Sequence, residues 1–514
     1  MKSLNMFHIS GPLAVPAVLI LLFAVNLFSQ YTLTQIGANS VQCPRPMSIG
    51  FYDSETNKTY MVWAGRKMTP LIKAFHHPSK RWSPTIEVGS LDSVISEKSL
   101  PFAYHDYPVV VKANDGHLLV FYCNHGSDLY MSRSLRPDSV EGEWEQRLLT
   151  PPEGRSPEPD GAPGYPSVFK TANGDIYVFF RGFYPRDQWE TEQNTDVNYN
   201  GAYRPWGYIK STDHGYTWSP YQVIINSTPN RPDRLNEIYL DGITYEPTHH
   251  NIKERFLLVW HIAGGQNETY PVLSRHNRFG RNVYFAYFYP GETPFLESPI
   301  DVQGRGGTNL GSEITDAWNS NGEMVRYCLV FNTGDPTVTG PRHIERLKAH
   351  YCDDGSPILV FEYRTNTGSS NWNYEAISYR WDPMILSPNK WTISENFKPG
   401  QSLLRKASLA DLEKIDSTSF ISYWLINGNI QAYKTTNAGK TWSAVRSENI
   451  DDPIRFSNVH LIHNYHSDIK FLITTQNNRT YNQNNPDDWI HGYAGEYTTY
   501  VAGKSDLPEI ISDD

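Results

Sequence analysis

The distribution of apolar residues along the chain predicts short strands rather than helices. Short apolar runs such as Leu118–Cys123 alternate with turn residues, and helical periodicity is almost absent. Only Asp411–Lys414 is typical of a turn of helix. The same unit recurs along the chain: an apolar strand, a turn with Gly or Asn, a second apolar strand and a more polar third strand. This pattern predicts an all-β protein built from repeated antiparallel hairpins.

Seven such units can be placed, most of them starting roughly 50–75 residues apart, which is close to the period of propellers and repeat arrays. The units are Ile49–Phe75, Tyr107–Ser134, Tyr165–Ser211, Ile238–Tyr289, His343–Tyr379, Ala407–Thr435 and Val459–Val501. A seven-bladed β-propeller is therefore predicted, because a ring of blades limits exposed strand edges. Six blades are the alternative, since the unit that begins at His343 is irregular.

A second motif, S/T-x-D/N-x-G-x-T-W, occurs twice, at Ser211–Trp218 and at Thr435–Trp442. The Asp or Asn side chain can hydrogen-bond nearby backbone, Gly accepts a positive φ, and Trp can pack beneath the loop. The motif therefore predicts a structural hairpin turn and carries no reactive group.

Composition agrees with a β-rich chain, because 33 Tyr and 14 Trp suit pleated surfaces while 36 Gly and 35 Pro suit turns. A single propeller domain is expected over residues 47–505, followed by an acidic tail at 506–514. The inserts Gly182–Tyr203 and Gln303–Gly340 are expected to be loops. The net charge of -10 argues against nucleic acid as a partner. The oligomeric state is not readable from the sequence.

The N-terminus has the pattern of a secretory signal. Lys2 precedes the apolar run Gly11–Ser29, so residues 1–29 are predicted to be a cleaved signal peptide, with an uncleaved membrane anchor as the alternative. A lead-in segment, 30–46, follows. Acceptor tripeptides for N-glycosylation occur at Asn57, Asn226, Asn267 and Asn478. The sequence therefore predicts a secreted glycoprotein, without membrane association unless the signal is retained.

The four cysteines are too few to frame a disulfide scaffold. Cys328 and Cys352 are candidates for a pair across neighbouring strands, and Cys43 and Cys123 are expected to stay free.

Four chemically active residues occupy equivalent positions in two successive units. His105 precedes the first strand of the second unit and His125 follows its second strand; Tyr165 and Arg181 hold the same places in the third unit. In an antiparallel hairpin, these positions lie at the open end, opposite the turn. The four side chains are therefore expected to meet at one mouth of the ring, as catalytic candidates.

Candidates for substrate binding lie in the fourth unit. His261 leaves its second strand, and Tyr245 lies in or near its first strand. Arg278, within a basic run that starts at Arg275, is a candidate for contacting an anionic sugar.

The blocks H-D-Y-P…G-H-L-L-V-F-Y-C-N-H-G and Y-P-S-V…F-F-R resemble the propeller-fold ulvan lyases, and the repeated turns resemble the Asp boxes of sialidase-type (BNR) repeat proteins. The similarity is concentrated in residues 100–220. In that group a His pair, a Tyr and an Arg from consecutive blades form a polysaccharide lyase site.

The resemblance implies β-elimination at a uronic acid in an ulvan-like anionic polysaccharide. Arg181 would neutralise the uronate carboxylate and stabilise an enolate-like intermediate. Tyr165 and His105 would transfer protons, with His125 supporting them. Which group is base and which is acid depends on the substrate stereochemistry.

Two other functions fit the same scaffold. One is a non-catalytic propeller that binds carbohydrate or protein. The other is a sialidase-like glycoside hydrolase, which needs three Arg, a Tyr–Glu pair and an acid Asp. The usual F-R-I-P motif of that group is absent, and Cys43–Pro46 (C-P-R-P) is a poor substitute.

No cofactor is predicted. The resemblance allows a structural zinc held by His and Cys, but the unit that carries His249, His250, His261 and His276 has no Cys. A second loose group is formed by His343, His350 and Cys352. Neither group is predicted to bind metal.

Overall fold

The computed structural model of the chain describes residues 31–41, 48–65, 69–90, 107–123, 129–149, 163–182, 205–226, 236–264, 280–298, 308–315, 328–333, 342–366, 372–382, 390–395, 397, 399, 407–450, 456–475 and 494–508. Within these ranges the chain is almost entirely β, with 32 strands and one short 3-10 turn at Arg446–Glu448. No helix in this part of the chain has the length and hydropathy required to cross a membrane. The all-β prediction is confirmed.

The strands in chain order are β1 Thr32–Val41, β2 Gly50–Asp53, β3 Lys58–Ala64, β4 Pro70–His76, β5 Arg81–Trp82, β6 Ile86–Glu87, β7 Val109–Lys112, β8 Leu118–Tyr122, β9 Leu129–Ser134, β10 Trp144–Leu149, β11 Gly164–Lys170, β12 Ile176–Arg181, β13 Trp206–Ser211, β14 Gln222–Asn226, β15 Asn236–Glu246, β16 Arg255–Gly264, β17 Gly280–Tyr289, β18 Phe295–Ser298, β19 Thr308–Gly311, β20 Ile314–Thr315, β21 Leu329–Phe331, β22 Arg342–Tyr351, β23 Pro357–Asn366, β24 Trp372–Trp381, β25 Trp391–Ile393, β26 Ala407–Lys414, β27 Phe420–Ile426, β28 Asn429–Thr435, β29 Ser443–Ala444, β30 Phe456–His466, β31 Ile469–Thr475 and β32 Ala494–Gly503.

The described strands form six hydrogen-bonded sheets. Five are antiparallel meanders, formed by β7–β10, β11–β14, β15–β18, β22–β25 and β26–β29. Two of these sheets have extra strands: β20 pairs with β14 in parallel, β19 pairs with β18, and β21 pairs with β17. The sixth has nine strands, in which β30–β32 with β1 adjoin β2–β6 through the single parallel pair Phe51↔His463. The count of seven blades stays a prediction.

Glycine turns explain why the second and third units have the same shape. The Gly116 amide donates to the Ala113 carbonyl at 3.0 Å, and the Gly174 amide donates to the Thr171 carbonyl at 3.0 Å. Both glycines have positive φ, +84° and +95°, which glycine adopts without steric cost. The hairpins predicted on either side of these turns are present as β7–β8 and β11–β12.

The two S/T-x-D/N-x-G-x-T-W segments are hairpin turns with matching hydrogen bonds. An Asp213 oxygen accepts from the Thr217 amide at 2.8 Å, and the second oxygen accepts from the Thr217 hydroxyl at 2.6 Å. Around Asn437, the amide of Thr441 donates at 2.9 Å to the equivalent oxygen. The turns therefore hold backbone in place.

Three expectations differ from the structure. Residues 32–41 of the lead-in segment form β1, which pairs with β32 from the opposite end of the chain. Asp411–Lys414 lies in β26 rather than in a turn of helix, because strand pairing with β27 overrides local propensity. The expected loop Gln303–Gly340 contains the short strands β19, β20 and β21.

The core lies between neighbouring sheets and is rich in aromatic side chains. Phe179 packs on Phe256 at 5.1 Å between ring centroids, joining the third and fourth units. Cys328 and Cys352 are buried free thiols, and Cys123 is buried as well. The candidate pair Cys328–Cys352 does not form a disulfide, because the two cysteines lie in separate core clusters.

Candidate active site at the open ends of the third and fourth units

Tyr165 is placed by an irregularity at the start of β11. Gly164 pairs with Arg181, but the register shifts before Ser167, and Tyr165 lies in this bulge with φ +58°. A bulge bends the strand and re-aims a side chain, and a bulky residue rarely adopts positive φ without a compensating role. The phenol is buried, at 8% exposure.

Arg181 ends β12 and is buried, at 1% exposure. Its guanidinium carbon lies 4.7 Å from the ring centroid of Tyr165 and 5.5 Å from that of Tyr239. Contacts of this kind attract a cation to the electron-rich faces of the rings. The two tyrosines come from different sheets, so Arg181 bridges the third and fourth units.

Tyr239 connects this pair to His261. The two residues are opposite one another in β15 and β16, and their rings stack at 5.2 Å with an interplanar angle of 8°. The Nδ1 atom of His261 lies 3.5 Å from the Oδ2 atom of Asp241, and both side chains are buried. A register shift between Tyr239 and Gly242 brings Asp241 to this position.

Contacts between polar side chains continue from the fourth unit into the fifth unit. The Nδ1 atom of His343 accepts from the Gly280 amide at 2.6 Å, and its Nε2 atom lies 2.8 Å from Glu345. Arg364 contacts both Glu345 and Glu362. Desolvation raises the pKa of the Glu362 carboxyl, against the lowering effect of the neighbouring arginines. A Cβ on Gly280 would lie 2.2 Å from the Ile344 carbonyl oxygen of the fifth unit, so glycine lets the two units approach.

The structure brings together three of the predicted site residues, Tyr165, Arg181 and His261. Sequence reasoning missed Tyr239 and Asp241, whose only signal is a strand long enough to hold a bulge. The arrangement contains a cation suited to a carboxylate, together with phenol and imidazole groups that can move protons.

Tyr245 does not lie at this end, contrary to expectation. It pairs with Phe256 at the far end of β15, about 20 Å along the strand from Tyr239. Its hydroxyl donates to Glu254 and accepts from the Ala172 amide at 2.8 Å. The expectation failed because the sequence did not reveal the register of this long strand.

The remaining predicted site residues, His105, His125 and Arg278, lie outside the described residues. Their roles stay predictions.

The histidines do not fit the zinc site that the resemblance allows. His249 and His250 lie in the turn between β15 and β16, where the Nε2 atom of His249 is 2.7 Å from Glu246. His261 lies at the opposite end of the same strand pair. His343 and His350 are likewise separated along β22. His276 lies outside the described residues.

Comparisons with known proteins show what the chain is similar to. The model of the family described as "BNR repeat-containing family member" matches residues 49–287. An ulvan lyase of Alteromonas sp. (strain LOR) is 26% identical over 177 residues, covering 31% of each chain. An ulvan lyase PL25 of Pseudoalteromonas sp. (strain PLSV) is 23% identical over 247 residues, covering 45% of this chain and 44% of the relative. The matches thus span less than half the length of these curated relatives.

Solved structures show the likeness in fold over a longer stretch. A PL25 ulvan lyase bound to -[GlcA(1-4)Rha3S]- aligns with a TM-score of 0.65 and 16% identity, covering 92% of this chain and 96% of that one. The polysaccharide lyase Uly1 aligns with a TM-score of 0.54 and 11% identity, covering 89% of both chains. The resemblance noted in the sequence is therefore confirmed: residues 49–287 match the BNR repeat-containing family, and the chain is similar to ulvan lyases.

Proposed function

We propose that this protein is a polysaccharide lyase that cleaves an ulvan-like anionic polysaccharide beside a uronic acid by β-elimination. The observation that carries the proposal is the buried guanidinium of Arg181 between the rings of Tyr165 and Tyr239. The similarity to ulvan lyases supports the substrate class.

The reaction needs a cation at the uronate carboxylate. The C5 proton is poorly acidic beside an ionised carboxylate, and removal of this proton leaves negative charge on the carboxylate oxygens. Arg181 can grip a carboxylate through two parallel hydrogen bonds and remains charged throughout, so it can stabilise this intermediate. Burial strengthens the interaction because solvent screening is weak there.

Proton transfer is assigned to residues beside this cation. C5 is bonded directly to the carboxylate carbon, so a base near Arg181 is within reach of the C5 proton. The Tyr165 ring lies 4.7 Å from the guanidinium carbon and meets this requirement. By the resemblance, His105 shares the proton transfers and His125 supports them, with the departing O4 atom receiving a proton as the bond to C4 breaks.

The residues of the fourth unit are assigned to substrate binding. Tyr239 presents a flat ring beside Arg181, and the His261 ring stacks on that of Tyr239. Arg278 is proposed to contact a further anionic sugar of the polymer.

The reaction is tested by mixing purified protein with ulvan and other uronate polymers. Elimination creates a C4–C5 double bond conjugated to the carboxylate, so ultraviolet absorbance is expected to rise with time. Binding without an absorbance change on any uronate polymer would favour a non-catalytic binding propeller. Release of reducing ends without absorbance would favour a hydrolase.

Substitution of the two central residues separates their roles. We expect Arg181→Lys to lower kcat by about 10²–10³-fold, because the two-pronged contact is lost while charge is kept. Tyr165→Phe should lower kcat by about 10²–10⁴-fold through loss of the phenol. Initial rates of absorbance increase provide the measurement.

Tyr177→Phe is the matched control, since Tyr177 is a buried tyrosine of β12 that pairs with Phe169 toward the turn. It should keep the wild-type rate. Full activity in Tyr165→Phe would remove Tyr165 from the proposed mechanism.

We further propose that residues 1–29 direct export and that the protein acts outside the cell. The support is the apolar run after Lys2 together with the acceptor tripeptide at Asn57, an exposed turn residue. N-terminal sequencing of protein recovered from the medium should begin near residue 30. Recovery only with membranes, with residue 1 retained, would favour the anchor.

The strand arrangement supports a proposal of seven blades. The nine-stranded sheet consists of two antiparallel groups joined by one parallel pair, so it can be counted as two blades. First strands of neighbouring units pack together, as β2 does with β7, β7 with β11, β15 with β22, β22 with β26 and β26 with β30. A six-bladed experimental structure would contradict the proposal.

A further inference from the structure

A cluster of two histidines and one aspartate joins the first and last repeated units. His77 follows β4, while His466 and Asp468 lie at the hairpin between β30 and β31. All three residues are at the turn ends of their units, whereas Tyr165 and Arg181 are at the open ends. The cluster is therefore separate from the proposed active site.

The donor atoms of the cluster face one another at short range. The Oδ2 atom of Asp468 lies 2.8 Å from the Nδ1 atom of His77 and 3.3 Å from the Nδ1 atom of His466. The three ligand atoms all lie within 4.8 Å of one another, and the two imidazole centroids are 3.9 Å apart. Two imidazole nitrogens and one carboxylate oxygen form a donor set that suits zinc.

The hydrogen bonds indicate that a cation belongs here. The Asp468 amide donates to the Nδ1 atom of His466 at 3.2 Å, so this nitrogen is unprotonated, and its lone pair would pass from the amide to a metal ion on binding. A lone pair 3.3 Å from a carboxylate oxygen is repelled by it unless a positive charge lies nearby. The ammonium of Lys80 supplies such a charge, 2.5 Å from the same Oδ2 atom.

Lys80 is able to give way to a metal ion. Its side chain is 49% exposed, so the ammonium can turn into water at little cost. The Nε2 atom of His77 lies 2.8 Å from the hydroxyl of Thr59, a contact that fixes the orientation of the ring. A hydrogen bond at the second ring nitrogen is the usual support for a metal-binding histidine.

We infer that His77, His466 and Asp468 bind a divalent metal ion of the zinc type, with water as the fourth ligand. Zinc bonds of about 2.0–2.1 Å in a tetrahedron place neighbouring donor atoms about 3.3 Å apart. The observed separations of 2.8 and 3.3 Å from Oδ2 require only small adjustments to match this geometry. The ion would link the first unit to the last, where β2 and β30 share a single parallel pair of residues.

The metal content of the purified protein tests this inference. The protein is stripped with a chelator, supplied with excess Zn²⁺, passed over a desalting column and analysed by mass spectrometry for zinc. Wild type is expected to retain one equivalent more than His466→Ala. The partly exposed neighbour His76 provides the matched control, and His76→Ala should retain the wild-type amount.

Thermal unfolding gives an independent readout. Zn²⁺ should raise the thermal unfolding midpoint of wild type and of His76→Ala, because the ion binds the cluster only in the folded protein. His466→Ala should show no such rise, and Lys80→Ala should bind zinc more tightly than wild type, since a competing cation is removed.

Equal zinc content in wild type and His466→Ala, or equal midpoint shifts in the two proteins, would overturn the inference and identify the retained zinc as adventitious. Failure of His466→Ala to fold would be recognised from its midpoint without metal, and Asp468→Asn then serves as the second variant. Lyase activity does not enter either measurement.

Discussion

At the scale of single residues, the backbone of Tyr165 connects structure with proposed chemistry. A φ of +58° is costly for a residue with a large side chain, by roughly 1–2 kcal/mol. The bulge that imposes this φ also places the phenol against Arg181. Strain of this kind is retained where it positions a functional group, which agrees with the proposed role of Tyr165.

A second feature at the scale of residues is the imidazole of His350, which makes the stability of the fold depend on pH. Desolvation, with a smaller contribution from the nearby Lys414, lowers the pKa of His350 from its usual 6.5 to about 3. The folded protein therefore holds His350 neutral, while the unfolded chain takes up a proton below about pH 6.5. The stability contributed by His350 is present above pH 6.5 and is lost as the pH falls from there towards 3.

We expect His350→Gln to lose less stability than wild type between pH 7 and pH 4. Urea unfolding midpoints at the two pH values, measured with chelator present, provide the comparison. His76→Gln serves as the control at a partly exposed histidine, and equal pH dependence in wild type and His350→Gln would contradict the assignment.

At the scale of elements, the two matching turns show how side chains stabilise a β-hairpin. Asp213 and Asn437 each accept the amide of the residue four positions later, and each turn carries a Trp that packs on a neighbouring ring. Trp218 lies 5.5 Å from Phe121, and Trp442 lies 4.9 Å from Phe397. The turns thus link strand geometry to core packing.

Asp213→Ala should lower the free energy of unfolding by about 1–2 kcal/mol, because the Thr217 amide and hydroxyl both lose their acceptor. Asp213→Asn should cost about 0.5 kcal/mol or less, since in the second turn Asn437 accepts from the Thr441 amide and donates to the Thr441 hydroxyl. Denaturant unfolding measures both variants. An equal loss in the two variants would mean that the charge, rather than the hydrogen bonds, stabilises the turn.

At the scale of the whole molecule, the first described strand completes the sheet formed by the last ones. β1 pairs with β32 from Thr32↔Gly503 to Val41↔Ala494. Ile36 is buried in the same core cluster as Trp63 of β3, so the strand also packs on the first unit. This closure covers the edge of β32, which would otherwise offer unpaired backbone groups.

A chain beginning at residue 42 should therefore be unstable or aggregate, whereas one beginning at residue 31 should remain monodisperse. Removal of β1 exposes a strand edge and the apolar surface beneath Ile36. Size-exclusion chromatography and thermal unfolding of the two purified chains compare them. Equal behaviour of both chains would show that β1 is dispensable for closure.

The sequence by itself determined the local features of this protein. Alternating apolar runs and glycine turns specify the hairpins β7–β8 and β11–β12, because these features depend on residues close together in the chain. The same local reasoning placed Tyr165 and Arg181 at one open end. Two residues flanking one hairpin must meet once the hairpin forms.

Only the tertiary structure decided the features that depend on strand register and on the pairing of distant strands. A bulge in β15 brings Tyr239 and Asp241, rather than Tyr245, to the site. The pairing of β1 with β32, the separation of Cys328 from Cys352 and the meeting of His77 with Asp468 join segments that are distant in sequence. Such contacts follow from how the sheets pack around one another, and no local pattern of residues encodes them.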